Sequence, residues 1–472
     1  MISNIQKPKI GDEFELIIKD IAFGGKGISS YNNFKIFVRN GIPEQKLLVR
    51  LIKRKKSFGE AKILSIIENS KLYQKSSCNH FPVCGGCSFQ HLNYDYQVQF
   101  KKKQLLDIFN KIGKFEIKKI DYFFPAEKIF NYRNKMDFTF SSRRWLLNEV
   151  KYNPNDKIFA LGLHIPGRFD KILNIDECTI QNSVGNEILC LVQDLAKQNK
   201  IPPYDKKTHK GFLRNLIIRR GEKTKEIMIN FVTAYENKII LKPIVDELIK
   251  NFKNIKSIVN NINSKKSDTS YGEYEILLYG NKFILDRIDK YEFEISSNSF
   301  FQTNTNQAEN LYSIAKKMAD LKTSDILFDL YCGTGSISIY MANYLKKVYG
   351  FEIIESAIKD AYQNMKRNEI ENCKFFQVNL DKDFENILNS KKIPNPNILF
   401  LDPPRAGIHP RLLKNLIKLD TNKIIYISCN PTTQARDLNI LLERGYKLKK
   451  LAMVDMFPHT PHIESVALIT KK

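Results

Sequence analysis

A cysteine that closes an apolar run, followed 35 residues later by a glutamate in a second such run, is the pair here best suited to covalent chemistry. Ile424-Ile425-Tyr426-Ile427-Ser428 is rich in β-branched and aromatic residues and reads as a buried strand ending at Cys429, just before Asn430-Pro431. Glu464 opens His462-Ile463-Glu464-Ser465-Val466-Ala467-Leu468, which reads as another strand edge. A thiol at the C-terminal end of a strand in an open α/β sheet lies where such sheets bind ligands. A thiol and a carboxylate so placed suit nucleophilic addition followed by proton abstraction. A lone cysteine is more often a buried packing residue, so the weight of this pair depends on its surroundings.

The elements around the pair are those of an α/β domain over residues 291–472. Its strands are expected at Ile326 to Leu330, Lys347 to Glu352, Cys373 to Val378, Ile398 to Leu401, Ile424 to Ser428 and Val466 to Ile469. Apolar strands alternating with helical stretches imply a mainly parallel sheet covered on both faces. After its first strand comes Asp329-Leu330-Tyr331-Cys332-Gly333-Thr334-Gly335-Ser336, whose glycines allow a sharp turn and close approach of a ligand. Glu352 closes the next strand, where such folds hold ribose hydroxyls. The third glycine of the dinucleotide fingerprint is absent. With Asp402-Pro403-Pro404-Arg405 after the fourth strand, the pattern resembles the S-adenosylmethionine-dependent methyltransferase fold.

Residues 1–68 show five short strand-like runs with turn residues between them, the pattern of a small barrel. Phe23-Gly24-Gly25-Lys26-Gly27 lacks the Walker spacing and reads as a hairpin turn. Lys53-Arg54-Lys55-Lys56 fits either a solvated tip or a phosphate contact. Residues 69–290 begin with a cysteine-rich loop and a helix from Leu92 to Gly113. They continue mostly as strand, with helices near 181–199 and 241–251. Cys78, Cys84, Cys87 and the distant Cys178 offer four thiolates, with Gly85 and Gly86 allowing a tight loop; zinc and an iron–sulfur cluster both suit them. Cys190 and Cys373 read as core, and Cys332 as packing beside the glycine loop.

The chain has 472 residues, 43% of them hydrophobic, enough for several cored domains. Lys and Arg outnumber Asp and Glu by 75 to 51, a net charge of +24, which points to a polyanionic partner, RNA before membrane. The start, Met1 to Pro8, has no signal-peptide core, and no run of apolar residues is long enough to span a bilayer. A cytoplasmic protein with reduced cysteines is expected.

Phe300-Phe301-Gln302-Thr303-Asn304, Asp402-Pro403-Pro404-Arg405, Ser428-Cys429-Asn430-Pro431 and His462-Ile463-Glu464-Ser465, in this order, resemble the RNA uracil-C5 methyltransferase family, which makes 5-methyluridine. The resemblance covers nearly the whole chain and is most specific after residue 291. It implies three parts: a TRAM-like RNA-binding barrel, OB-like, over 1–68; a mostly β central domain carrying an iron–sulfur site over 69–290; and a Rossmann-like class I methyltransferase domain over 291–472. It implies Cys429 as nucleophile at uracil C6 and Glu464 as the base that removes the C5 proton. Gln302, Tyr331, Gly333, Ser336, Glu352, Asn379 and Asp402 are the implied S-adenosylmethionine positions, with Gln302 and Asp402 also toward the uracil. Ser336 and Asn379 depart from the residues common in better-known members. Cys78, Cys84, Cys87 and Cys178 match the [4Fe–4S] ligands of the branch acting on 23S ribosomal RNA; their distance in sequence from Cys429 suggests a structural or RNA-organising role, not methyl-transfer chemistry. A thiol of ordinary pKa ~8.5 is only a few per cent thiolate at neutral pH, so local stabilisation of the anion is expected.

Flipping a uridine out of folded RNA needs stacking and phosphate contacts. Phe300 is the candidate stacking residue, although it or Phe301 could be core; Arg133 and Arg168 are candidate RNA contacts, and Arg219 and Arg220 weaker ones. A monomer acting on 23S ribosomal RNA, not DNA, is the leading expectation. Transfer RNA is the first alternative. An amino-group methyltransferase would have no need of Cys429 and Glu464, and a non-catalytic RNA-binding protein would bind no cofactor.

Overall fold

The computed structural model describes residues 7–146, 159–266 and 271–471. Met1 to Gln6, part of the segment read above for a signal sequence, lie outside these ranges. Among the described residues no helix is long and apolar enough to cross a membrane.

Residues 13–68 form a six-stranded sheet. Alternation sends Phe14 and Leu16, then Phe34, Ile36 and Val38, then Leu47, Val49 and Leu51 into one small core. One strand more is present than the sequence pattern shows, the two-residue Asp20–Ile21. It pairs with Gly27–Tyr31 across the glycine-rich turn, where Gly24 and Gly25 both have φ near +90°. Lys55 and Lys56 sit exposed at the tip between Lys46–Arg54 and Phe58–Glu68, while Lys53 reaches back to Glu60 at 3.2 Å.

The helix Tyr94–Lys111, capped by Asn93, ties this region to the C-terminal half. Its Lys101 is buried against Asp455 at 2.6 Å, and Tyr94 donates to the same carboxylate at 2.8 Å. A buried ion pair held by such extra hydrogen bonds fixes one relative placement of its two elements. Residues 135–280 then build an eight-stranded sheet. Its helices Ser183–Gln198 and Lys238–Asn251 bury Ile188, Leu189, Val192, Leu241, Ile244 and Leu248 in a shared core. The hairpin Phe283–Ile288 and Tyr291–Ser296 follows, so residue 290 lies in its turn.

The C-terminal sheet runs in the order Cys373–Gln377, Lys347–Glu352, Ile326–Leu330, Ile398–Leu401, Lys423–Ser428, Glu464–Lys471, Tyr446–Val454, Tyr122–Phe124. The first five strands are parallel, and Glu464–Lys471 runs antiparallel between its neighbours. The strand Tyr446–Val454 was not expected, nor was the place of Tyr122–Phe124 in this sheet. Tyr446–Val454 opens with alternating lysines and pairs early residues toward solvent, and Tyr122–Phe124 joins its edge from the central segment. Apolar clusters cover both faces. The chain order reverses between Ile326–Leu330 and Ile398–Leu401, which opens a crevice at the carboxyl ends of those strands.

Candidate active site

The loop after Ile326–Leu330 lies in that crevice. Tyr331, Gly333 and Gly335 all have positive φ, at 67°, 52° and 77°. A Cβ on Gly333 would meet nothing within 4 Å, so the space above its backbone is open, whereas one on Gly335 would come within 2.9 Å of the Phe375 ring. Gly333 N donates to one oxygen of Glu352 at 3.2 Å, and Ile353 N and Ile354 N donate to the other at 2.8 and 3.0 Å. Three backbone donors hold the Glu352 carboxylate still and leave it acceptor capacity for a ligand hydroxyl. Below the loop, burial pushes Asp329 up to about 7, with Ser338 donating to one oxygen at 2.6 Å.

Asn379 ends the third parallel strand's connection, and its side-chain oxygen caps the helix Leu380–Ser390 through Asp381 N at 3.0 Å. It borders an open cleft of about 490 Å3 together with Ile353 and Val378. Ser336 shares a hydrogen bond with the buried Tyr312 hydroxyl at 2.8 Å, so its oxygen is already engaged. Tyr331 lines a second cleft of about 420 Å3 with Asp381, Pro404 and Arg436. Tyr331, Gly333, Ser336, Glu352, Asn379 and Asp402 therefore gather at the carboxyl ends of four neighbouring strands. Gln302 arrives from the loop ahead of helix Thr305–Ala319. Asn134 Nδ2 donates to the Gln302 carbonyl at 3.0 Å, and Asn304 Nδ2 donates to Met456 O at 2.9 Å, pinning that loop from both sides.

Register brings the thiol and carboxylate together. Ser428 pairs with Ser465 in the antiparallel ladder, so the next positions, Cys429 and Glu464, face each other where the two strands part. Asn430 caps helix Pro431–Leu442, which points its positive end toward the thiol. Burial and the Asp402 charge push Glu464 well above the ordinary carboxylate range, and burial alone lifts Asp402 to about 7. The expected stabilisation of the thiolate does not hold for the free protein. Burial first, then Glu464 and Asp402, push Cys429 up to about 11, and Arg405 works the other way. Arg405 belongs to the quoted Asp-Pro-Pro-Arg run, yet its reach was not apparent there, because it depends on two loops meeting.

The two adjacent phenylalanines separate cleanly. Phe301 is buried against Phe293, while Phe300 is 64% exposed. The loop carrying them is clamped by Arg219, whose guanidinium donates to Ser296 O at 3.2 Å and Ser299 O at 2.9 Å. Arg219 is thus no RNA contact: it is 4% exposed, and its charge is spent on backbone carbonyls. Arg220 pairs with Glu222 at 3.6 Å. Arg133 borders the cysteine loop, with its guanidinium 6.0 Å from the Phe457 ring. Arg168 is exposed on a hairpin behind that loop, paired with Asp170 at 3.3 Å and 6.0 Å from the Trp145 ring.

Cys78, Cys84, Cys87 and Cys178 line one cavity of about 240 Å3, shared with Arg133, Thr460 and His462. Burial, reinforced by the neighbouring thiols, pushes Cys84 and Cys87 up to about 12. Gly86 N and Gln90 Nε2 donate to Cys84 and Cys87 sulfurs at 3.3 and 3.4 Å. Among the described residues no three His, Cys, Asp or Glu side chains close on a single metal ion. Ser88 N and Phe89 N donate to His459 O at 2.8 and 3.0 Å, which binds the cysteine loop to the segment leading into Glu464. The cluster is far from Cys429 in sequence and shares a wall with its site in space. Cys332 and Cys373 are buried; Cys190 is only half-buried, its thiol 3.1 Å from Asp176 O, and is not core.

The family described as tRNA (uracil-5-)-methyltransferase matches residues 227–472. An RNA methyltransferase of Chlorobaculum tepidum is 36% identical over 464 residues, covering 97% of this chain and 96% of its own. The chain belongs to the RNA uracil-5-methyltransferase family. Another RNA methyltransferase, from Clostridium acetobutylicum, is 36% identical across 98% of both chains. Among solved structures, the tRNA (uracil-54, C5)-methyltransferase of Pyrococcus abyssi, in complex with S-adenosyl-L-homocysteine, is 31% identical with a TM-score of 0.76. That match covers 97% of this chain and 99% of that one. The matches to these RNA methyltransferases extend over nearly the whole chain, beyond the span of the family match.

Proposed function

We propose that this RNA methyltransferase transfers the methyl group of S-adenosylmethionine to C5 of a uridine in 23S ribosomal RNA, with Cys429 as nucleophile and Glu464 as base. The observation that carries the reading is the placement of Cys429 and Glu464 one position beyond the Ser428–Ser465 rung that ends their ladder, where the Glu464 charge acts on the thiol. Uracil C5 is too weak a nucleophile to take a methyl group unaided. Addition of the Cys429 thiolate to C6 moves the ring electrons onto C5 and O4. C5 then attacks the sulfonium methyl, releasing S-adenosylhomocysteine. The Glu464 carboxylate removes the C5 proton, the C5–C6 double bond re-forms, and the thiolate leaves. Glu352 suits the ribose hydroxyls, Tyr331 and Gly333 the methionine end, and Asn379 the adenine. Asp402, poised near neutrality, offers a proton to a uracil carbonyl as readily as it accepts one. Gln302 fits beside it, and exposed Phe300 offers a stacking surface for a flipped base.

The reading keeps three parts: an RNA-gripping TRAM-like barrel over 1–68, a central domain over 69–290 and a Rossmann-like class I methyltransferase domain over 291–472. It keeps a monomer in the cytoplasm. Arg133, beside the site, suits an RNA phosphate better than Arg168, which is already paired. Four half-buried thiols lining one cavity of about 240 Å3 suit the [4Fe–4S] cluster that the family resemblance implies. Cys78, Cys84, Cys87 and Cys178 would hold the cluster, which would tie the 78–87 loop to Cys178 and supply no chemistry to methyl transfer. Protein purified without oxygen is expected to carry about four irons and four sulfides per chain. Stoichiometric zinc in place of iron would remove the cluster.

The cysteine site and six-stranded sheet support the ribosomal substrate. Transfer RNA is favoured by one observation, the near full-length likeness to the Pyrococcus abyssi enzyme. The deciding experiment offers labelled S-adenosylmethionine and unmodified total RNA, separates the RNA classes and digests each to nucleosides. Label in 5-methyluridine from 23S RNA is expected. Label in transfer RNA alone would keep the chemistry and replace the substrate, and no labelled 5-methyluridine in either would sink both.

A further inference from the structure

We propose that Arg405 is a further catalytic residue, the cation that stabilises the Cys429 thiolate while His462 holds it in place. The inference rests on the reading of Cys429 as nucleophile. Its basis is geometric. Asn430 Nδ2 and Thr433 Oγ1, on either side of the turn that follows Cys429, donate to the Arg405 carbonyl at 2.9 and 3.3 Å. These bonds tie the Asp-Pro-Pro-Arg loop to the cysteine turn, so the arginine backbone cannot drift from the thiol. At the other end, Arg405 Nη2 lies 3.5 Å from His462 Nδ1, two residues before Glu464, and the guanidinium charge acts on the Cys429 thiol to lower its pKa.

The positive end of helix Pro431–Leu442 adds to the same effect, but among the charged side chains acting on the thiol Arg405 is the cation. The charged groups facing Cys429 from the packed elements are Glu464 on the antiparallel strand, Asp402 beyond the fourth parallel strand, and Arg405 itself. Two are acids and oppose the anion. Arg405 is also uncommitted: Arg436, on the next helix, is paired with Asp437 at 2.7 Å, but no carboxylate lies within ion-pair distance of Arg405 among the described residues. His462 can take a hydrogen bond from it because burial and the cations Arg405, Lys101 and Arg133 keep the imidazole neutral, its pKa near 4. His462 also lines the cysteine cavity, so the 78–87 loop braces the histidine that braces the arginine. A planar guanidinium presents several fixed donors at once, so one group can bridge sulfur and imidazole.

The test reads the thiolate directly, without RNA. The intact protein is alkylated with iodoacetamide, an uncharged reagent, at several pH values between about 7 and 9, and the Cys429 peptide is followed by mass spectrometry. Below its pKa the thiol reacts in proportion to its thiolate fraction. One unit of added pKa therefore slows alkylation about tenfold at every pH in that range. Arg405→Met is expected to slow it by about tenfold or more, and Arg405→Lys by only a few-fold. The buried Cys332 and Cys373 report folding in the same digest, because a disrupted variant exposes both. If the methionine variant is disrupted, Arg405→Gln takes its place. A wild-type alkylation rate in a folded Arg405→Met or Arg405→Gln protein would overturn the proposal. If Cys429 is not the nucleophile, alkylation still slows in the Arg405 variant but Cys429→Ala keeps its methyl transfer; if Arg405 is idle, Cys429→Ala loses transfer and alkylation does not change.

Discussion

Cys429→Ala is expected to lower methyl transfer by about 10⁴-fold or more while RNA affinity stays within a few-fold. A loss of that size is about 5.5 kcal/mol of barrier, more than any single positioning contact supplies, because without the sulfur the ring never acquires a nucleophilic C5. Binding should survive, since the sulfur is half-buried at the floor of the site and phosphate contacts supply most RNA affinity. Single-turnover transfer of labelled methyl groups, measured beside filter binding, checks both halves. Turnover within tenfold of wild type would end the covalent reading; equal loss of binding would make Cys429 a structural residue. A companion sign follows from the environment of the thiol. Burial, Glu464 and Asp402 hold it up near 11, so the reactive thiolate grows tenfold per pH unit through neutrality. With chemistry limiting, kcat/KM of the wild-type enzyme should rise with pH from the neutral range upward. An arm that falls at high pH would instead mark a group that must stay protonated.

The parts of this site that were legible in the sequence are those encoded by local chemistry. Gly333 and Gly335 announce a turn only small residues permit, and both adopt positive φ there. Glu352 and Cys429 close apolar runs, so their strand-end positions follow from where the runs stop. What stayed hidden depends on distant segments meeting. Tyr122–Phe124 is three residues long and becomes a strand only because Tyr446–Val454 lies beside it. Arg219 looked like a surface cation, but its guanidinium is sheathed by the Ser296 and Ser299 carbonyls, 77 and 80 residues further on. The direction of the Cys429 shift could not be read either, because it comes from burial first and then from Glu464 and Asp402, which distant parts of the chain bring to the thiol. Likewise Cys78 and Cys429 are separated by most of the chain, yet the wall of one site is the wall of the other through His462.

Glu464→Gln should do something different in kind from Cys429→Ala: it should stop the reaction after methyl transfer and leave protein bonded to RNA. Once C5 carries the new methyl group, the thioether at C6 can leave only if the C5 proton is taken first. Glutamine keeps the shape and hydrogen-bonding ends of the side chain but has no carboxylate to accept that proton. A general base contributes about 10²–10⁴-fold, so steady-state turnover should fall by that order while the first methyl group is still transferred. Burial supports the assignment, since a carboxyl held well above its ordinary range is a stronger base when ionised than an exposed one. Arg405 lowers the pKa of Glu464 as well as that of Cys429. Once the sulfur is locked into the adduct, that cation is left to favour the Glu464 anion, just when the base is needed. The check is a denaturing gel of variant protein with RNA and labelled S-adenosylmethionine. A slow-migrating band that carries label, and that disappears in the double variant with Cys429→Ala, is the expected result. Full turnover without any trapped species would assign the proton to another group, and Asp402, the other raised carboxyl facing the thiol, would be the residue to replace next.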